Sequence, residues 1–475
     1  ARAGAMPGRA WGRLAAAGAA AGAAAAAAAW LLAGRRARGR RRVARGGGAR
    51  ALELLPGETS AVLLGMAPSI SACTFLVGDP REAASRLRER TREVLRLNPW
   101  LGGRLDQVRG EARPVLVYGP AAERDDPTLG GAFFFEPAPP GGAPGGALSH
   151  RTPYRDVART LGRLLVKTGS ACLGRADEPL FRVAVVPDAL QPEGRWALVV
   201  SLSHVIADGH TFYQVHNMLS DGREVRALEP RRAANVPERA EAAMGGDGGF
   251  LANPRPGLLL SLLSAGLLGA LVGPACAVDL RYVDDTYVAQ AKAEAAQAGT
   301  VPFVSTNDIV TSEVLMSSRC SLGLMDVNLR GRVPGCGAGL AGNYEDKIVY
   351  RPADFASPAL VRASVQDPAR LVRASEPRTS LPRSVRELWG VDSMACVSNW
   401  ASFAEDVVLE GHRAELHVPV FDASAVPARV FTGCFVFRPG NGQPLALALA
   451  GKPHVLARVA AEARAVGECV RWGRG

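Results

Sequence analysis

The stretch RWALVVSLSHVIADGHTFYQVHNML, residues 195–219, constrains the fold more tightly than any other part of the chain. Residues 195–203 are an apolar strand pattern, and the run closes on His204. Asp208-Gly209 follows as a turn signal, and residues 211–220 read as a helix. A ring at the end of a buried strand has a fixed backbone and is held rigidly. Three of the seven histidines, His204, His210 and His216, fall in this one stretch. Three readings follow from residue type: a metal cluster with Asp208, a general base on a turn, or a buried histidine hydrogen-bonded at a strand end. The metal reading is the weakest. His204 and Asp208 have the i, i+4 spacing of one helix face, but His204 ends a strand, and the spacing matches no zinc signature. A rigid neutral imidazole near pH 7 is what general-base work needs.

The rest of the chain alternates in the same way. REAASRLRERTREVLRL (81–97) spaces Leu87, Val94, Leu95 and Leu97 among charges, an amphipathic helix, and NPWLGGRL (98–105) turns into a strand. Strands are expected at 113–118 and 181–187, a Pro/Gly loop at 136–147, and a helix around 154–172. Residues 231–256 are polar and Gly-rich, which fits a crossover between domains. Beyond them, helices are expected at 286–299 and 307–321, the latter with Asn307 as a cap, and a strand at LGLMDVNLRGRV. The last third reads as mostly β (ACVSNWASF, AELHVPVF, VFTGCFVFR, PLALALA) and closes with a helix at 453–466. Interleaved strands and helices over 475 residues predict an α/β protein of two similar-sized lobes, with no short-period repeat.

Charge location excludes one class of function. Eleven of the 56 basic residues lie in 1–50, which has no Asp or Glu, so the remainder carries 45 of each sign. A neutral body without a basic run argues against nucleic-acid binding. The eight cysteines are scattered, with no CxxC, and read as reduced, mostly buried thiols.

Two uncharged segments raise the question of membrane contact. Residues 14–33 are an Ala-rich leader running into RRARGRRRVAR, with Trp30 near the junction. The leader has the length and flanks of an anchor, the Arg-rich, acid-free composition of a transit peptide, and the low complexity of a disordered segment. Residues 257–278, GLLLSLLSAGLLGALVGPACAV, are a buried helix, a hairpin dipped into one leaflet, or the wall of an acyl-chain tunnel; Pro274 shortens any helix there. These segments leave localisation open within an intracellular setting, membrane-associated or organelle-targeted.

The residues around His204 also carry a resemblance. His204-Val205-Ile206-Ala207-Asp208-Gly209 resembles the HxxxDG motif of the CoA-dependent acyltransferases with the chloramphenicol-acetyltransferase-like fold, and within them the BAHD acyltransferases. NPWLGGRL (98–105), PLFRVAVVP before the motif, STNDIVTSEVL (305–315), DVNLRGR (326–332) with GNY (342–344), and SNWASF (398–403) are similar to that family's segments and in its order, so the resemblance covers roughly residues 52–465. One segment departs: LEGHR (409–413) stands where the family has DFGWG, and only Gly411 fits.

The resemblance implies two lobes, each a mixed β-sheet flanked by helices, with a channel between them. Residues 1–50 are the leader, 51–232 the N-terminal lobe, 233–278 a crossover with the apolar segment, and 279–475 the C-terminal lobe. It implies acyl transfer from a CoA thioester to an alcohol or amine, with His204 as general base and Asp208 holding the turn. Arg330, or Arg332 as the alternative, would pair with Asp208, while Gly209 and Asn343 support the site. Asn399 or Trp400 would serve the oxyanion or line the channel. Acyl-CoA is a co-substrate, and neither a metal nor a permanently bound cofactor is required. The acceptor is a small molecule or, for a wax-ester- or glyceride-forming relative, a lipid, and the implied state is a monomer. A non-catalytic binding protein of the same fold and a metal-dependent hydrolase are the competing classes.

Overall fold

A computed structural model describes residues 49–107, 113–119, 126–135, 147–246, 274–375, 394–423, 431–440 and 442–470. The leader, the loop at 136–146, and residues 247–273 with most of the apolar run lie outside them. No helix among the described residues is long and apolar enough to cross a membrane.

The first half contributes strands β1 (Arg50–Glu53), β2 (Ile70–Val77), β3 (Arg104–Asp106), β4 (Val115–Tyr118), β5 (Phe133–Phe135), β6 (Phe181–Pro187) and β7 (Arg195–Leu202). The second half contributes β8 (Ala277–Val283), β9 (Leu322–Asn328), β10 (Glu345–Tyr350), β11 (Met394–Asn399), β12 (Arg413–Pro419), β13 (Thr432–Phe437), β14 (Ala446–Gly451) and β15 (Val466–Cys469). They form a small sheet β1-β4-β3, a sheet β12-β2-β7-β6-β5, and a sheet β10-β9-β11-β13-β14-β8-β15. Both large sheets are mixed: β5–β6, β9–β11 and β11–β13 are parallel and the other pairs antiparallel. The architecture is two lobes, each a mixed sheet flanked by helices.

The near-continuous apolar text of β7 has a direct cause. Trp196, Leu198, Val200 and Leu202 face one core with Leu87, Val94 and Leu95 of the helix Pro80–Leu97. Ala197 and Val199 face a second core with Val157 and Leu161 of the helix Tyr154–Leu161 and with Leu280, Phe437, Ala446 and Ala448 of the other sheet. Both faces of β7 are dry, which accounts for the apolar run Trp196–Val200 and for Leu202, each contributing about 1.5–3 kcal/mol where a large one is fully buried; Ser201, also buried, has Ser71 Oγ and Val166 N as partners. The shared core also fastens the lobes together.

β12 lies in the sheet of the first half, antiparallel to β2 with His417 opposite Thr74. Its approach is made by LEGHR. Leu409 is buried, Gly411 takes a left-handed φ of 81°, and His412 packs edge-on to Trp196 with ring centroids 5.5 Å apart. The indole N–H of Trp196 donates to His412 Nδ1 at 3.2 Å.

Several boundaries differ from those the sequence suggests. The helix expected over 154–172 is two pieces, Tyr154–Leu161 and the single turn Gly169–Cys172; Gly162 follows the first and Thr168-Gly169 opens the second. Ala277 and Val278, the tail of the apolar run, belong to β8. The closing helix expected over 453–466 ends at Glu462, and Val466 already belongs to β15, which pairs with β8. Asn307 is not the cap of its helix. Ser305 precedes Thr306–Ser318, its hydroxyl accepts from Asp308 N at 3.3 Å, and Asp308 Oδ2 accepts from Ser305 N at 2.6 Å, a reciprocal capping box. Asn307 instead points its amide at Met325 Sδ.

This assignment predicts that Ser305→Ala lowers unfolding stability by about 1 kcal/mol, and Asn307→Ala by less. Urea unfolding midpoints of the two variants check the order.

Candidate active site

The site begins where β7 ends. Ser203 N donates to Leu180 O at 2.8 Å and Ile206 N to Ser203 O at 3.1 Å, which turns the chain sharply at His204. Asp208 then caps the helix Gly209–Asn217, accepting from Thr211 N at 2.8 Å. Gly209 lies close under the Trp400 ring. It is the first residue of a regular helix, with no positive φ. A Cβ there would stand 3.1 Å from Trp400 Nε1.

Asp208 does more than cap. Its Oδ2 accepts from Arg330 Nη1 at 2.6 Å and from Tyr344 N at 2.8 Å, and its Oδ1 lies 3.3 Å from Arg330 Nη2. Both side chains are 1% exposed. Arg330 spends its other donors on Leu340 O, Asn328 Oδ1, Thr211 Oγ1 and Gly342 O, all at 3.0–3.1 Å. Burial alone would raise the Asp208 carboxyl; the Arg330 guanidinium and the two amides outweigh it and hold the group below its ordinary value. Asp208 is therefore a fixed anion. Arg332 goes elsewhere, to Val365 O at 3.2 Å.

The ion pair places the turn Gly342–Tyr344 against His204. Asn343 Nδ2 donates to His204 O at 2.9 Å and to Glu58 Oε1 at 3.2 Å. Both partners only accept, which fixes the amide orientation and turns Oδ1 toward His204 Nδ1 at 3.1 Å. Oδ1 can only accept, so Nδ1 carries the hydrogen and Nε2 holds the free lone pair. Burial lowers the imidazole's affinity for a proton, and the nearby Lys347 charge adds to the effect. His204 is thus a neutral ring with one nitrogen anchored and the other available. Its Nε2 faces Glu345 Oε1 at 3.8 Å.

Asn343 is itself anchored by residues the sequence reading did not single out. Glu58, fully buried, accepts from Asn343 N at 3.0 Å, Leu55 N at 2.8 Å and Arg232 Nε at 2.9 Å. Arg232 also reaches Ile206 O and Ala341 O. An acid beside Pro56-Gly57 in the largely apolar ALELLPGETSAVLLGM was the available signal for Glu58.

The remaining residues separate. His210 packs edge-on to Phe403 and touches Gln214 and Ala338 O. His216 is buried beside His417, ring centroids 5.2 Å apart, and burial pushes it down to about 4. His417 hydrogen-bonds Thr74 Oγ1 and Tyr213 OH, and burial, then His216, holds it well below the usual range. Trp400 Nε1 donates to Ser398 Oγ at 3.1 Å, and Asn399 Oδ1 accepts from Ala401 N at 3.0 Å, so both are engaged within their own turn. His204, Asp208, Arg330 and Asn343 come together; Asn399 and Trp400 bond locally, with Trp400 packed over Gly209.

No protein-family model matches the chain, and no curated protein sequence is significantly similar to it. Solved structures are similar in fold. TRI3 trichothecene 15-O-acetyltransferase from Fusarium sporotrichioides has a TM-score of 0.56 at 8% identity, over 89% of this chain and 96% of that one. TRI101 from F. sporotrichioides, complexed with coenzyme A and T-2, has a TM-score of 0.51 at 14% identity, over 88% and 99%. The first condensation domain of the calcium-dependent antibiotic synthetase, in complex with a substrate analogue, has 0.52 at 15%, over 89% and 99%. The fold is that of the CoA-dependent, chloramphenicol-acetyltransferase-like acyltransferases.

Two outcomes follow from the buried charges. Asp208→Ala and Arg330→Met should each cost about 3–5 kcal/mol of unfolding stability, because each strands a buried partner, while the double variant loses less than their sum. A urea double-mutant cycle reads this directly. His216 is lowered in the folded state, so the unfolded chain binds its proton first as pH falls from about 6.5 toward 4. Stability should therefore decline with falling pH in that window, and His216→Phe should flatten the slope by up to about 1.4 kcal/mol per pH unit.

Proposed function

We propose that this chain transfers an acyl group from a CoA thioester to an alcohol or amine, with His204 as general base. The observation that carries the reading is the orientation of one ring: Asn343 fixes His204 Nδ1 as N–H, so Nε2 is free, neutral and rigidly aimed. His204 comes from the first half and its partners Asn343 and Glu345 from the second, so the ring sits where the two lobes meet. The fold, the coenzyme A bound in one structure of this fold, and the BAHD-like segments of the sequence support the same chemistry.

Nε2 takes the proton from the acceptor's O–H or N–H as the acceptor heteroatom attacks the thioester carbonyl. The tetrahedral intermediate collapses with cleavage of the C–S bond, and the departing thiolate recovers the proton from Nε2–H. Base catalysis of this kind contributes about 10²–10⁴-fold, and the remainder comes from orientation and charge stabilisation. Asp208 takes no part in proton transfer: a carboxylate with Arg330 and two backbone amides holds the turn. For Trp400 to stabilise the oxyanion, its indole N–H would have to leave Ser398 Oγ; Asn399 meets Ala401 N with its amide oxygen, and the group that would donate to an oxyanion is its Nδ2.

Free-thiol release from a panel of acyl-CoAs, with alcohols, amines, long-chain alcohols and glycerides as acceptors, tests the reading. The lipid acceptors belong in the panel because of the uncharged run at 257–278. Acceptor-dependent release is expected, with kcat falling about 10²–10⁴-fold in His204→Ala. Release unchanged in that variant removes His204 as the base. A folded protein that releases no thiol with any acceptor favours a binding protein of this fold.

A further inference from the structure

His204 Nε2 does not look into an empty wall. β10 presents Glu345 and Lys347 on one face, as residues two apart in a strand do. Asp326 on β9 lies opposite Lys347, and the two form an ion pair. Cys396 on β11 closes the row, its thiol 3.9 Å from Asp326 Oδ1. Lys347 and Asp326 therefore satisfy one another. Glu345, its side chain 14% exposed, has a single ion-pair partner among the described residues, His204. The contact runs to Nε2, the nitrogen that Asn343 leaves free.

On the reading of His204 as the base, we propose that Glu345 is a positioning residue for it: its carboxylate faces Nε2 and stabilises the imidazolium formed when Nε2 takes the acceptor's proton. Proton and charge balance within the pair. The acceptor loses H⁺, Nε2 gains it, and the ionised Glu345 offsets the new positive charge until the thiolate takes the proton away. A protonated Glu345 supplies no such charge, so the ionisation state of this one side chain sets the strength of the base.

The surroundings put that ionisation within reach. Burial, then the Asp326 carboxylate, pushes Glu345 up to about 8; Lys347 opposes this, Asp208 adds to it, and Arg330 offsets Asp208. His204 is lowered, so its ring is already neutral when Glu345 ionises. The two groups titrate in separate windows, His204 below its ordinary 6.5 and Glu345 near 8.

The test is an NMR titration of the full chain with labelled histidine, the His204 signal being the one missing from His204→Ala. In the unaltered protein that signal should move twice, once below pH 6.5 and again near pH 8, where the ring itself does not change charge. Glu345→Gln should abolish the second movement and leave the first; Glu345→Asp should keep it, displaced. In parallel, kcat with an acceptor from the panel should rise about tenfold between pH 7 and 9, and stay flat in Glu345→Gln. A His204 signal that does not move near pH 8, or moves identically in Glu345→Gln, overturns the proposal. The titration reads the pair without turnover, so it is separable from the acyl-transfer reading, which fails by itself if His204→Ala keeps full activity.

Discussion

Everything at this site hangs on one buried ion pair. Asp208 and Arg330 are both out of water, and the cost of removing each charge from solvent is several kcal/mol. Coulomb attraction alone rarely covers it. Here the amides of Thr211 and Tyr344 complete the carboxylate, and Leu340 O, Gly342 O, Asn328 and Thr211 complete the guanidinium. The pair therefore works as a fully satisfied network that ties a helix start in the first half to the turn Gly342–Tyr344 in the second. His204, four residues before Asp208, is held at both ends: by the β7 ladder behind it and by this knot ahead of it.

Three histidines in one short stretch meet three environments. His204 sits in the turn with one nitrogen bonded across the lobes, His210 rides the first turn of the helix against Phe403, and His216 is sealed in an aromatic core. Their spacing of six residues carries each onto a different element or face. The chemistry of an imidazole is set by what its two nitrogens meet, and only His204 has one nitrogen anchored and the other facing a titratable partner.

Much of this was legible in the sequence because the physics is local there. A strand buried on both faces writes itself as a near-continuous apolar run, and β7 does, with Ser201 as its one buried polar residue. A strand that ends in His-x-x-x-Asp-Gly announces a turn and a helix cap. The fold class followed from the alternation of elements, and Arg330 and Asn343 from family-like segments. What escaped depends on distant partners. Glu58 and Arg232 read as ordinary charges, and their meaning appears only when Glu58, paired with Arg232, holds the Asn343 that holds His204. Glu345 reads as an ordinary surface acid until β10 is laid beside β9. Gly209 was legible as part of a turn signal, but the side chain it lies under, Trp400, is nearly two hundred residues away. Ser305 lost to Asn307 in the sequence reading because a capping box is a matter of register by one or two residues.

The exchanged strand β12 bears on how such a chain can be made. Until residue 419 has left the ribosome, β2 has a neighbour on one side only, and its other edge offers unpaired amides and carbonyls. Synthesis proceeds at about 5–20 residues per second, so the sheet of the first half waits many seconds, fully translated yet incomplete, for a strand encoded more than three hundred residues beyond β2. The two lobes are thus separate in architecture but not in assembly. A nascent chain of this kind has a long interval in which a stranger's edge strand can take the place of its own.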